Sequence, residues 1–331
     1  MAPCTARAIL EVRGGAELSA SEGGGRVVGI AAGLGAAAIW GGMYVVSKYV
    51  LDYVPPLTLV VLRLVIGTAT LGVIAVATGA PWVRRRDVPL MVLLGFVGLC
   101  VSMVAQFSGT KLSTAASGAL ITCATPAFML LFSWPLLGER PTARQVMGLA
   151  LASAGVAMTI LLAPTATEGG DEAAGRNVLL GNVLLVVAAV TWALYSVLGR
   201  IASRRYPALI TTGYATFFGA VFTAPLVPLE WGTTAPRWEA TPGLIWPGVL
   251  YLGVVSTAGA FYLWNKSIAL LGPGLPAILF FAQPVVGGLL GALLLGERLG
   301  LSFFLGGALV GLAILLGNAG ASGRRTGRAG D

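Results

Sequence analysis

Long apolar stretches separated by short polar breaks run along almost the whole chain, and their length predicts membrane-spanning helices. A bilayer core requires about 20 consecutive apolar residues per helix. Ten stretches approach or reach that length, at 27–50, 57–79, 88–108, 114–137, 143–163, 177–200, 207–229, 244–270, 273–295 and 302–320. The sequence therefore predicts an all-α polytopic membrane protein with ten transmembrane helices.

The longest polar break, APTATEGGDEAAGRN from Ala163, divides the ten stretches into two sets of five that match each other. Trp40 recurs as Trp192 at a shift of 152 residues, and Pro126 recurs as Pro284 at a shift of 158. Because each set has an odd number of helices, the second set must enter the membrane from the opposite side. The pattern predicts two inverted five-helix repeats, an architecture common to secondary transporters.

The same pattern predicts the division of the chain. We expect a disordered cytoplasmic tail at 1–26, a first repeat at 27–163, a polar linker at 164–176, a second repeat at 177–320 and a basic cytoplasmic tail at 321–331. Lys and Arg concentrate in the breaks that lie on the same side as the two termini, as is typical of cytoplasmic loops. We therefore expect a multi-pass protein of the plasma (inner) membrane with both termini in the cytoplasm.

Composition agrees with membrane embedding and argues against several kinds of chemistry. Hydrophobic residues make up 56% of the chain and charged residues only 10%, with a mean hydropathy of +0.87; soluble domains average about 25% charged residues. The net charge of +8 lies in short loop clusters, which argues against nucleic-acid binding. Histidine is absent and the three cysteines have no ligand spacing, so no metal site, cofactor or histidine-based catalysis is predicted.

Three stretches carry a resemblance to a known family. The first, AAAIWGGMYVVSKYVLDYVPPLTLVVLRLVIG, contains a Trp-Gly pair, a helix-ending Lys, a Pro and an Arg. The other two, LSTAASGALITCATPAFMLLFSWPLLGERPT and LGPGLPAILFFAQPVVGGLLGALLLGERLG, each join a Pro-centred helix to Gly-Glu-Arg. Together they resemble EamA domains of the drug/metabolite transporter (DMT) superfamily across residues 27–320. The resemblance implies ten helices around a central cavity. It also implies export, and this direction rests on the resemblance alone.

Polar and aromatic side chains deep within the spans are the candidates for substrate contact. A charge at the membrane centre costs at least ~2.5 kcal/mol, and this singles out Arg63, whose guanidinium suits a carboxylate. The alternative is that Arg63 ties helices together or reaches the membrane surface. For the aromatic and amide side chains, the alternative is an interfacial belt and interhelical hydrogen bonds. The predicted cavity residues are Trp40, Tyr44, Arg63, Gln106, Trp192, Tyr195, Asn265 and Gln283.

Prolines and charged turns are predicted to have mechanical roles. Pro126 and Pro284 each remove a backbone donor in mid-span, which predicts hinges or structural kinks. Lys48 lies near the end of its helix and is predicted to extend its ammonium to the membrane surface. The acidic–basic pairs after the fourth and ninth spans are predicted to fix turns and helix starts; they are Glu139, Arg140, Glu297 and Arg298.

These observations predict a permease, not an enzyme, that moves a small neutral or zwitterionic metabolite such as an amino acid or a drug. Alternating access between the two repeats is the expected mechanism. Two other classes stay open: a non-transporting membrane sensor or partner subunit, and a membrane-embedded lipid-modifying enzyme. The predicted partners are a small-molecule substrate and the lipid bilayer, without nucleic acid, and the sequence assigns no oligomeric state.

Overall fold

The structure is a computed structural model that describes residues 4–122, 124–138, 172–236, 242–271, 279–280 and 282–319, with isolated positions between 143 and 158. Within these ranges the chain is helical and contains no strand. The helices are α1 (Cys4–Val50), α2 (Pro56–Ala77), α3 (Arg85–Leu112), α4 (Ala115–Leu137), α5 (Glu172–Ser203), α6 (Ala208–Trp231), α7 (Ile245–Leu250, Tyr251–Gly259 and Ala260–Leu271), α8 (Ala282–Leu295) and α9 (Leu301–Ala319).

Seven of the described helices are long and apolar enough to cross a membrane. They are α1 from Gly25 onward, α2, α3, α4, α5 from Asn177 onward, α6 and α7. The first four helices coincide with predicted spans one to four, and α5–α9 coincide with spans six to ten. The fifth predicted span, at 143–163, lies mostly outside the described residues. The count of ten helices and the predicted domain boundaries therefore stay predictions.

The first helix starts earlier than the sequence pattern indicates. α1 is continuous from Cys4 to Val50, whereas the sequence predicts a disordered tail through residue 26. No proline follows Pro3 in this segment, and proline is the residue that most strongly stops a helix. The helical backbone of α1 therefore extends through residues 4–26 without a break.

Helix packing follows the internal repeat of the sequence. α1 packs against α7 and α8, while α5, its counterpart in the second repeat, packs against α3 and α4. α2 packs against its own counterpart, α6. Each repeat thus places its first helix against the third and fourth helices of the other repeat, so the two halves interleave around a shared centre.

The third helix of each repeat is π-helical at matching positions. Gly95–Val101 forms this segment in α3, and Tyr251–Gly259 forms it in α7. A Cβ on Gly95 or on Gly253, which match at a shift of 158, would lie 2.5 Å from a side-chain carbon of the facing helix. Glycine therefore permits the close approach of α3 to α6 and of α7 to α2. π-Helical segments often occur at functional sites, and the one in α7 carries two hydroxyl groups that matter below.

Substitution of a contact glycine tests the packing of α3 against α5. A Cβ on Gly109 would lie 2.7 Å from the carbonyl oxygen of Gly181, so we expect Gly109→Ala to push the helices apart and lower the free energy of unfolding by about 1–3 kcal/mol. Gly72→Ala is the control, because nothing lies within 4 Å of a Cβ there and alanine favours helix. Thermal unfolding in detergent micelles measures both, and equal melting temperatures would contradict the prediction.

Candidate functional site

Arg63 is fully buried in α2, and its charged side chain meets only neutral groups. Its Nε and Nη2 donate to Oγ1 of Thr257 at 3.0 and 2.9 Å, and Nη2 also donates to Oγ of Ser256 at 3.4 Å. Nη1 donates to Sδ of Met43 at 3.3 Å, a weak acceptor. The guanidinium carbon lies 4.9 Å from the centre of the Phe107 ring. Within the described part of the chain, no Asp or Glu forms an ion pair with Arg63.

The π-helical segment of α7 orients the partners of Arg63. The hydroxyl of Thr257 donates to the carbonyl oxygen of Leu252, five residues earlier, at 2.8 Å. Its lone pairs are therefore left to accept from the guanidinium. One position earlier, the carbonyl oxygen of Ser256 accepts from the indole Nε1 of Trp40 at 3.1 Å. This segment thus holds side chains from both α1 and α2 at the centre of the bundle.

The matching contact, where α6 meets α3, lacks the whole arrangement. Ala215 matches Arg63 at a shift of 152, and Gly98 and Leu99 match the two hydroxyl residues of α7 at a shift of 158. A Cβ on Gly98 would overlap the ring of Tyr195, so no side chain fits there. The guanidinium and both hydroxyl partners are therefore present together where α2 meets α7 and absent together where α6 meets α3. The contact between α6 and α3 forms without the charge.

A hydrogen-bonded chain joins four helices beside Arg63. Gln106 Nε2 donates to Tyr44 Oη at 2.5 Å, and the Tyr44 hydroxyl pairs with Thr122 Oγ1 at 2.7 Å. Thr122 uses its own proton on the carbonyl oxygen of Gly118 at 2.8 Å, so Tyr44 is the donor in that pair. Gln283 Nε2 also donates to Thr122 Oγ1, at 2.9 Å. With their amide nitrogens engaged, Gln106 and Gln283 offer their side-chain oxygens as acceptors.

These groups line one cavity near the middle of the bundle, which we call the central cavity. It leaves about 30 Å³ for the centre of a water-sized sphere, and one water needs about 10–15 Å³ of such space, so this conformation has room for about two waters. The lining residues are Trp40, Met43, Tyr44, Arg63, Ser102, Met103, Gln106, Thr122, Ala188, Trp192, Phe261, Phe280 and Gln283.

A second cavity lies toward the end of the bundle at which α5 ends and α6 begins. It leaves about 80 Å³ by the same measure. Its lining includes Tyr195 and Asn265, and it shares Trp192 and Phe280 with the central cavity. The other lining residues are Thr125, Pro126, Met129, Ser196, Gly199, Arg200, Ala208, Thr211, Thr212 and Trp264.

The structure therefore divides the predicted cavity residues between two spaces. Five line only the central cavity: Trp40, Tyr44, Arg63, Gln106 and Gln283. Trp192 borders both cavities, while Tyr195 and Asn265 border only the second. Their roles as substrate contacts stay predictions. The sequence analysis missed Phe280, Ser256 and Thr257; the last two carry a signal, because they are polar where the matching positions of the first repeat are apolar.

Both predicted hinge prolines lie in the first turn of a helical segment. α4 consists of Ala115–Thr122 and Thr125–Leu137, with Pro126 opening the second piece. Pro284 is the third residue of α8. A proline in a first turn removes an N–H group that has no partner within its own helix, so it fits there without strain. α4 is thus interrupted beside Thr122, and a hinge function of the two prolines stays a prediction.

The side chain of Glu297 holds one side of the turn between α3 and α4. Glu297 accepts from the backbone N–H groups of Ala115 and Ala116 at 2.7 and 3.0 Å, at the start of α4. A negative charge is favourable at a helix N-terminus. Arg298, beside it, is exposed. The other predicted turn residues lie outside the described residues: Glu139 and Arg140.

The ammonium of Lys48 binds the last carbonyl groups of α3 and its turn. Nζ donates to the carbonyl oxygens of Thr110 and Lys111 at 3.0 and 2.9 Å, and also to that of Ser113. A positive charge is favourable at a helix C-terminus, where carbonyl groups lack partners. The sequence analysis predicts that Lys48 extends to the membrane surface; in the structure its ammonium instead fastens α1 to the end of α3.

Two interleaved sets of apolar helices around a buried polar cavity define a membrane-embedded transporter of small molecules. The comparison with known families agrees: the sequence model of the EamA-like transporter family matches residues 27–161 and 179–318. The chain therefore belongs to the EamA-like transporter family, within the drug/metabolite transporter superfamily, and it is a transporter of small metabolites rather than an enzyme.

Relatives and a solved structure cover most of the chain. The aromatic amino acid exporter YddG of Ancylobacter novellus is 31% identical over 239 residues, which cover 72% of this chain and 78% of that protein. A probable terminal-alkyne amino-acid exporter of Streptantibioticus cattleyicolor is 28% identical over 263 residues, 80% of this chain and 84% of its own length. A crystal structure with 24% identity has the same fold, with a TM-score of 0.62 over 89% of this chain and 99% of that one.

The capping role of Glu297 is open to a direct test of stability. Glu297→Ala removes a charge and two acceptors from the start of α4, and we expect it to lower the free energy of unfolding by about 1–2 kcal/mol. The matched control is Arg298→Ala, since the neighbouring side chain is exposed and such changes stay within about 0.5 kcal/mol. Thermal unfolding in detergent measures both variants, and an equal effect of the two would argue against the cap.

Proposed function

We propose that the protein exports a small zwitterionic molecule of the amino-acid class and that Arg63 binds its carboxylate. The observation that carries this proposal is the fully buried guanidinium beside the central cavity, which meets only neutral acceptors among the described residues. A buried charge without a counter-charge is costly in a membrane protein. A substrate carboxylate supplies that counter-charge through two parallel hydrogen bonds.

The other groups of the central cavity suit the rest of such a molecule. The amide oxygens of Gln106 and Gln283 are acceptors for an ammonium group, and the indole face of Trp40 attracts a cation. The rings of Phe261 and Phe280 lie 5.5 and 5.7 Å from Trp40, measured between ring centres, and provide an apolar surface for a side chain. Carboxylate, ammonium and side chain thus each find matching chemistry within one lining.

Alternating access is the transport mechanism that the architecture favours. The two repeats interleave around the central cavity, so rocking one half against the other changes the face to which the cavity opens. The cavity has room for about two waters in this conformation, so substrate must be admitted by movement of the surrounding helices. The distribution of Lys and Arg favours the plasma membrane with both termini in the cytoplasm. The two relatives named as exporters of amino acids support this substrate class and the outward direction.

Transport by purified protein in proteoliposomes tests the role of Arg63. We expect saturable flux of an amino acid such as phenylalanine or leucine. Arg63→Met should lower kcat/KM by about 10- to 150-fold, the equivalent of the 1.5–3 kcal/mol of a hydrogen bond to a charged group. Arg85→Met is the control, because this arginine is exposed. Phenylethylamine, which lacks a carboxylate, should compete equally well in the wild type and in Arg63→Met.

Two results would count against the proposal in different ways. Undiminished amino-acid flux through folded Arg63→Met would refute the carboxylate role of Arg63. An absence of flux for every amino acid, in protein whose thermal unfolding is normal, would refute the substrate class.

A further inference from the structure

The two cavities lie in series and are divided by two aromatic side chains. Trp192 and Phe280 are the only described residues that line both spaces. On the central side, the Trp40 ring lies 6.3 Å from that of Trp192 and 5.7 Å from that of Phe280, between ring centres. On the other side, Tyr195 stacks on Trp192 at 4.8 Å and Trp264 contacts Phe280 at 5.1 Å. Packed rings therefore stand between the two cavities in this conformation.

The second cavity has acceptor groups of its own. Ser196 donates its hydroxyl proton to the carbonyl oxygen of Trp192 at 2.8 Å, and Thr211 donates to that of Pro207 at 3.4 Å. Asn265 Nδ2 donates to the carbonyl oxygen of Phe261 at 2.9 Å and to Thr212 Oγ1 at 3.4 Å. With these protons engaged, the oxygens of Ser196, Thr211 and Asn265 have acceptor capacity left.

The lining of the second cavity has groups for both ends of a zwitterion. Its acceptor oxygens and the ring faces of Tyr195 and Trp264 suit an ammonium group, which donates three hydrogen bonds and is attracted to ring faces. Arg200 lines the same cavity, and a guanidinium suits a carboxylate. The second cavity therefore matches the same class of molecule as the central cavity.

The repeat relationship indicates which end of the bundle has space in this conformation. Lys48 and Arg200 match at a shift of 152. At one end, the ammonium of Lys48 is bound to three carbonyl oxygens around the α3–α4 turn. At the opposite end, Arg200 lines the second cavity. The second cavity is therefore at the end that the sequence predicts to be cytoplasmic.

We propose that the second cavity is a separate binding site, which takes the substrate before the molecule passes Trp192 and Phe280 to reach Arg63. Substrate binding here rests on the function proposed above, whereas the aromatic barrier does not. An exporter with this arrangement binds its substrate twice, first in the second cavity on the cytoplasmic side and then at Arg63 in the centre.

Cysteine labelling tests the barrier without any knowledge of the substrate. The three native cysteines, Cys4, Cys100 and Cys123, are first replaced by alanine. Thr212→Cys then reports on the second cavity and Ser102→Cys on the central cavity; both native side chains are 3% exposed, so a difference in labelling reflects the access route. A cationic methanethiosulfonate reagent that does not cross membranes is added to inside-out vesicles.

We expect the reagent to modify Thr212→Cys and to modify Ser102→Cys at least about tenfold more slowly, as for a barrier that is open a tenth of the time or less. Adding Trp192→Ala or Phe280→Ala should raise the rate at Ser102→Cys about tenfold. Met43→Ala is the matched control, because Met43 lines only the central cavity. Similar rates at the two cysteines with both rings intact, or no modification of Thr212→Cys, would overturn the proposal. It would also fail if neither ring substitution changed the rate at Ser102→Cys.

Protection by an amino acid tests the second site separately from Arg63. We expect phenylalanine and phenylethylamine each to slow the modification of Thr212→Cys severalfold, and to do so equally well in Arg63→Met. Loss of protection in Arg63→Met would show that the two cavities form one binding site. If phenylalanine is neither transported nor protective, the function proposed above fails, while the labelling pattern without amino acid still decides the barrier.

Discussion

The centre of this protein is arranged around one buried charge, the guanidinium of Arg63, which has no counter-charge among the described residues. Arg63 is buried in a membrane-spanning helix, where only neutral groups of the described chain surround it. Keeping a guanidinium there requires acceptors aimed at it, and the π-helical part of α7 supplies them through Ser256 and Thr257. The same segment accepts the indole N–H of Trp40. The helices that carry these groups are thereby held together around the central cavity, where the guanidinium attracts a negatively charged group.

The two repeats share their packing and differ in their chemistry. Interleaving of first helices against third and fourth helices occurs twice, as do the glycine contacts of the two π-helical segments. At the matched central positions, however, the contact between α2 and α7 carries Arg63 with two hydroxyl groups, and the contact between α6 and α3 carries Ala215 with Gly98 and Leu99. Repetition accounts for the fold, since both halves form the same contacts. The departure from repetition accounts for the buried charge, because a guanidinium in this position is stabilised only when its hydroxyl acceptors are also present.

Two spaces lie in series along the bundle. The second cavity offers acceptor oxygens, rings and Arg200, and the central cavity offers Arg63 with two amide oxygens and rings. Between them stand the rings of Trp192 and Phe280. At the opposite end, Lys48 and Glu297 hold the two sides of the α3–α4 turn, the first at carbonyl groups and the second at N–H groups. The bundle therefore has a cavity near one end and charged contacts that hold the turn at the other.

The sequence by itself determined the class of fold, the internal repeat and six of the thirteen residues that line the central cavity. Apolar length and a repeated pattern are local properties, and a charge or amide within an apolar span is visible without coordinates, as for Arg63, Gln106 and Gln283. Only the tertiary structure decided that Tyr195 and Asn265 belong to a different space, that Phe280 stands between the two, and that Ser256 and Thr257 face Arg63. Those relations join residues more than 60 positions apart in the chain. They depend on how helices rotate and approach one another, which side-chain periodicity along a single helix does not specify.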